Sequence, residues 1–333
     1  MSKKQKPTLW QQALGRDRNG KKQSYPLSID DYDSDHSDWN NMVQDRLVGK
    51  LDTKQISPNR CRTLDDIRAL ASYPGTYGYM RHGRKKVKGG FEVEWLQEGE
   101  QNHLEKENWK YFINDYGFRG KFNTRKLKKH SLGVFGCSMT FGEGVQEEDT
   151  WGMRLAKQFN YNLYNFGIGG AGPIRTARTF ASVSNVFKLK YAIVMLPQSS
   201  RIEGYDFTDK DEFGESIPTR IRPINIIPQF PPSGFEELYT NYYKVMSDQA
   251  CIAQALLACD YISQTAKANG TNVVFCTWDT LTLWAMHNGQ VSQLYNKLFK
   301  RIDLGRDDNH PGILSHKRFA ESLGKYINDN SWF

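Results

Sequence analysis

At 333 residues, 38% hydrophobic, 13% aromatic and 25% charged, the chain carries enough apolar side chains for one core of about 200 residues plus an extension, and its composition excludes a natively disordered polymer. No run approaches the ~20 apolar residues of a membrane span, and the start MSKKQKPTLWQQ lacks a signal peptide's apolar centre, so a cytoplasmic protein without a membrane span is the expectation. The net charge of +8 gathers in runs such as Arg81 to Lys88 and Lys121 to Lys129, which read as a solvated basic face, so nucleic acid is not the expected partner.

Residues 1–60 are polar and show neither helical nor strand periodicity, as in an extended arm. Residues 61–130 mix aromatic residues, glycine pairs and basic runs, predicting an irregular extension of short strands and turns around Gly89 and Gly90 that packs on the core. Only the composition around Tyr77, Tyr79 and Phe91 would support nucleic-acid binding there.

From Ser131 the pattern changes. LGVFG, NLYNFG, YAIVML and NVVFCTW are apolar runs of strand length separated by helix-length segments, which predicts an α/β domain over 131–333 with a parallel sheet between helices. Thr150 is placed to cap a helix carrying Trp151, Leu155 and Phe159 on one face. A longer helix is expected from Asp248 to Ala268, with Ile252, Leu256, Cys259 and Ile262 inward and Gly270 as its stop. Between the third and fourth strands, residues 202–240 are proline-rich and aperiodic, the mark of an insertion near the active-site face. After His310, Phe319, Leu323 and Ile327 recur at helical spacing as a core stripe. The cysteines Cys61, Cys137, Cys251, Cys259 and Cys276 have no metal or redox spacing and are expected to be free, buried thiols.

The chemistry-bearing residues sit where these strands end. In GVFGCSMTFGEGV, Ser138 follows the first strand in a glycine-flanked turn, at the edge where open α/β sheets bind ligands. In RDDNHPG, Asp307 precedes His310 by three residues. An imidazole can take a serine's proton while a carboxylate on its other nitrogen fixes the tautomer. NFGIGGAGP offers unobstructed backbone N–H groups, Gly170 first among them, for an oxyanion, and its spacing matches no phosphate-binding glycine motif. His36, His82, His103, His130, His287 and His316 lack ligand spacing, so neither a metal nor a cofactor is expected.

In order and spacing, INDYGFRG, GVFGCSMTFGEGVQEEDTW, NFGIGGAG and DDNHPG resemble the blocks of the SGNH (GDSL-like) hydrolase superfamily from about residue 112 onward. The resemblance implies a three-layer, flavodoxin-like α/β fold and a serine hydrolase that needs no cofactor and acts on a small ester or acylated carbohydrate. It puts the nucleophile on Ser138, the Asp-x-x-His pair on Asp307 and His310, with Asp308 out of register, and oxyanion donors on Ser138 and Gly170. Met139 and Arg201 are pocket candidates. The chain departs from the family in two places. Cys137 replaces the aspartate of the Gly-Asp-Ser block, and MLPQSSR lacks the third block's asparagine, leaving Gln198 or Ser199 as substitute donors. The second departure supports an alternative reading, a catalytically impaired binding or structural protein associated with a virion or a surface assembly.

Overall fold

The structure is a computed structural model that describes residue 61 and residues 84–95, 109–114, 116–122, 130–206, 222–227, 236–307 and 309–333. The arm over 1–60, Tyr77, Tyr79, His36, His82, His103 and Asp308 lie outside the described residues. All that follows belongs to one compact unit, Asp52–Phe333.

The extension forms an antiparallel sheet of β1 (Arg84–Val87), β2 (Gly90–Trp95) and β3 (Trp109–Asn114). Its first turn passes through Gly89, whose φ of 84° is left-handed, so the glycine permits the turn that the GG pair announced.

The main sheet contains β4 (Ser131–Gly136), β5 (Asn162–Gly167), β6 (Tyr191–Leu196), β9 (Asn272–Thr277) and β10 (Leu294–Leu298), in the spatial order β10-β9-β6-β4-β5. All its pairings are parallel. Numbered along the chain these five strands lie in the order 2-1-3-4-5, the doubly wound flavodoxin-like arrangement, whose switch point falls between β4 and β6.

Alternate residues of each strand enter opposite layers. Phe135, Phe166, Val194 and Phe275 pack with α3 (Pro173–Val186) and α5 (Asp248–Asn269). Val134, Ile193, Met195 and Val274 pack with α2 (Trp151–Gln158) and α7 (Ile313–Asp329). Burial on both faces explains why the strands read as continuous apolar runs.

Thr150 caps α2, its hydroxyl accepting from Met153 N at 3.2 Å, and Gly270 ends α5 at a φ of 68°. The inward face of α5 differs from the expected one. Cys251, Ala255, Ala258, Cys259, Ile262 and Ala266 are buried, whereas Ile252 and Leu256 lie half-buried at its margin. Leu256 instead fills the space beside Gly289 after α6 (Thr280–Asn288). Within 202–240, β7 (Ile202–Asp206) and β8 (Arg222–Ile226) form an antiparallel pair before α4 (Glu236–Val245). The cysteines are free and buried. Among the described residues no helix is long and apolar enough to cross a membrane.

Candidate active site

β4 ends at Gly136, where φ is 151° and an added Cβ would lie 2.6 Å from the Met195 carbonyl oxygen. Only glycine allows so close an approach, and it turns the chain into the short helix α1 (Ser138–Phe141). Cys137 occupies its N-cap without a side-chain bond. Ser138 is thereby held just beyond the carboxyl edge of β4, at the switch point. Met139 follows, half-buried between the two core layers, and its carbonyl accepts from Trp151 Nε1 at 3.0 Å.

Two side chains clamp this turn. Asn165 Nδ2 donates to the carbonyls of Thr140 and Phe141 at 3.0 and 3.3 Å. Arg119, 1% exposed, donates through Nη1 to the carbonyls of Phe141 (2.9 Å) and Gly142 (2.5 Å), and through Nη2 to Val145 (2.7 Å). Its guanidinium also lies 4.5 Å from the centroid of Tyr111. The INDYGFRG segment delivers it there: Asn114 Oδ1 accepts from Tyr116 N and Phe118 N, and Asn114 Nδ2 donates to the Gly120 carbonyl, folding a tight loop that aims Arg119 inward. Arg119 was not singled out by sequence, since an arginine in a basic, glycine-rich stretch reads as solvated.

The loop before α7 brings Asp307 and His310 together. Asp307 Oδ1 accepts from His310 N (3.0 Å) and Asn309 N (3.3 Å), and Oδ2 bonds His310 Nδ1. The loop is joined to the serine turn by Arg306 N, which donates to the Gly144 carbonyl at 3.0 Å. A Cβ on Gly144 would meet Asp307 Oδ1 at 2.6 Å. Asp303 accepts from Leu314 N and Ser315 N, anchoring the start of α7.

The other imidazole nitrogen has an unforeseen neighbour. Nε2 lies 3.1 Å from Glu143 Oε2, and Glu143 is 3% exposed. Among the described residues no hydrogen bond joins the Ser138 hydroxyl to His310. Ser138 and Glu143 are nonetheless neighbours, because Glu143 N donates to the Ser138 carbonyl at 3.2 Å.

The histidine therefore sits between two carboxylates. Burial works against its charged form, but the charge of Glu143 and the bond and charge of Asp307 outweigh this and raise its pKa. Burial likewise opposes ionisation of Asp307, yet the His310 bond and charge bring its pKa down. For Glu143 burial dominates and its pKa is raised despite His310. Glu143, Asp307 and His310 each offer one ligand atom within 4.8 Å of the others. Both imidazole nitrogens already face carboxylates, so a cation would have to displace these contacts.

Gly170 lies buried in the β5–α3 loop at a φ of 69°. After β6, Ser199 N donates to Thr282 Oγ1 at 3.0 Å, leaving its buried hydroxyl as the remaining donor. Gln198 is half-buried, and its carbonyl accepts from Arg201 N. Arg201 is buried over the Trp278 ring. His316 has a capping role: Nδ1 accepts from Trp151 N at 3.1 Å at the start of α2.

No family model and no curated protein sequence matches the chain. Among solved structures it is similar to TesA, at 13% identity over 59% of this chain and 97% of that one, with a TM-score of 0.39. It is similar also to a protein described as lipolytic, of the G-D-S-L family, from Desulfitobacterium hafniense DCB-2, at 11% identity over 59% and 99%, with a TM-score of 0.37. The acetyl xylan esterase Est2A from the rumen bacterium Butyrivibrio proteoclasticus matches at 14% identity over 68% and 70%, with a TM-score of 0.35.

Proposed function

We propose that this chain is a serine hydrolase of the SGNH type that cleaves an ester bond, as an esterase or a carbohydrate O-deacetylase. The observation that carries the reading is the Asp307–His310 pair, lodged against the turn that starts with Ser138 at the switch point of the sheet. In this mechanism Ser138 Oγ attacks the acyl carbonyl while His310 Nε2 takes its proton, and Asp307 holds the imidazolium. The Ser138 and Gly170 N–H groups receive the oxyanion, with Gln198 or the Ser199 hydroxyl as a third donor. His310 then protonates the leaving alcohol, and water attacks the acyl-enzyme by the same relay. Glu143 must release Nε2 before His310 can act as base.

The experiment is hydrolysis of a short-chain acyl ester by the wild type and by Ser138→Ala, both checked for folding by circular dichroism. The reading predicts a loss of at least about a thousandfold in kcat for the variant. Turnover that survives the substitution refutes Ser138 as nucleophile.

The Glu143 contact favours a second reading, in which the scaffold has lost turnover and serves a binding or structural role. Covalent labelling by a fluorophosphonate separates the two, since only a serine activated by its histidine reacts.

A further inference from the structure

Three buried arginines stand in or near the loops that follow β5 and β6, and two share one carboxylate. Arg178 bonds Glu203 through Nε at 3.1 Å and also through Nη2, and Arg175 Nε lies 3.7 Å from the same group. The third, Arg201, makes no ion pair with a described residue. It is 8% exposed, and its Nε and Nη1 are buried without an acceptor among the described residues. Its guanidinium lies over Trp278, 5.1 Å from the ring centroid. The Trp278 Nε1 and the Ser199 hydroxyl are also buried donors without an acceptor there.

Buried donors are nearly always paired, and a guanidinium cannot shed its proton to escape the requirement. Donors are thus assembled at the ends of β6 and β9 with no acceptor for them among the described residues. The place is the same crevice. Arg201 packs so closely on Gly172, two residues beyond Gly170, that a Cβ there would lie 3.2 Å from its own Cβ. Its charge also acts on Glu143 and on His310. A cation–π contact with one ring face leaves the guanidinium N–H edge available for bonds to carboxylate or phosphate oxygens.

We propose that Arg201, backed by Trp278, recognises an anionic oxygen group, a carboxylate or a phosphate, carried by the substrate beside its ester. This rests on the ester-hydrolase reading and narrows it to acylated acidic compounds, sugar acids and sugar phosphates among them. His310 engages Glu143 through Oε2 and Asp307 through Oδ2, and among the described residues Arg201 Nε and Nη1 bond neither carboxylate.

Calorimetric titration of the full chain with methyl glucuronide, glucose 6-phosphate and methyl glucoside reads recognition without turnover. At least one anionic sugar should bind about 10-fold or more tightly than the glucoside, as a charge-assisted bond to a buried guanidinium supplies. The stronger of the two identifies the group. Arg201→Gln should abolish the preference, and Arg201→Lys, which keeps the charge but not the planar fork, should retain part of it. Equal affinity for all three sugars, or a preference that survives in folded Arg201→Gln, overturns the proposal. If Arg201→Gln does not fold, competition in the wild type decides: inorganic phosphate should displace the bound anionic sugar, and absence of displacement overturns the proposal. Ser138→Ala should keep this binding while losing ester turnover, so failure of anion recognition and failure of the hydrolase reading appear in different measurements.

Discussion

Replacing Arg119 by methionine keeps most of the side-chain volume and removes the guanidinium that clamps the serine turn. Three buried carbonyls, those of Phe141, Gly142 and Val145, lose their charged donor, although Phe141 keeps the bond from Asn165 Nδ2, and the cation–π contact with Tyr111 is lost as well. Bonds from a charged donor contribute about 1.5–3 kcal/mol each, and relief of the buried charge's desolvation returns part of that sum. The net loss should be about 3–5 kcal/mol, what remains of three charge-assisted bonds after that relief. Urea unfolding followed by tryptophan fluorescence measures it. Arg119→Lys should fall between, because one ammonium cannot reproduce the planar fork that spans these carbonyls. A loss below about 1 kcal/mol for Arg119→Met would refute the clamp, since surface substitutions cost that little.

Other consequences follow from the same geometry. Glu143→Gln removes a carboxylate charge from Nε2 and should lower the pH at which His310 loses its proton, read from the imidazole resonances in an NMR titration; an unmoved titration contradicts the ion pair. Because the folded pKa of His310 is raised above its ordinary 6.5, its protonation stabilises the fold below pH 6.5, and that contribution is lost as pH rises through the folded value. His316 behaves oppositely. Burial pushes its pKa from 6.5 down to about 3, so stability should fall as pH drops from 6.5 towards 3, by up to about 1.4 kcal/mol per pH unit; His316→Gln should flatten that slope in denaturant titrations. Gly136→Ala forces a Cβ against Thr140 and the Met195 carbonyl and should cost at least about 1–3 kcal/mol, measured as a drop in melting temperature.

The sequence announced the parts of the fold whose burial is two-sided. β4, β5, β6 and β9 read as apolar runs because helices cover both faces. β10, with the sequence LYNKL, is a half-exposed edge strand and gave no such run. On α5 the eye fell on the large Ile252 and Leu256, whereas close packing selected the alanines and cysteines beside them. In the site, Asp307 and His310 were legible because three residues of separation let one short loop bond them. Glu143 was not, because a carboxylate in a glycine turn reads as solvated. What buries it is a loop more than 160 residues away in the chain, and no local pattern carries that information.

The meeting of Gly144 with the His310 loop limits how this crevice can change. A Cβ on Gly305 would lie 2.9 Å from Gly144 Cα, so here backbone touches backbone and no side chain is left to trim or enlarge. The carboxylate that orients the imidazole and the turn that carries the serine are therefore fixed to each other and cannot be retuned separately. If the proposed anion subsite holds, variation in what the crevice accepts falls to the segments after β6 and β9, where Arg201 and Trp278 stand, and a library built to alter specificity belongs there.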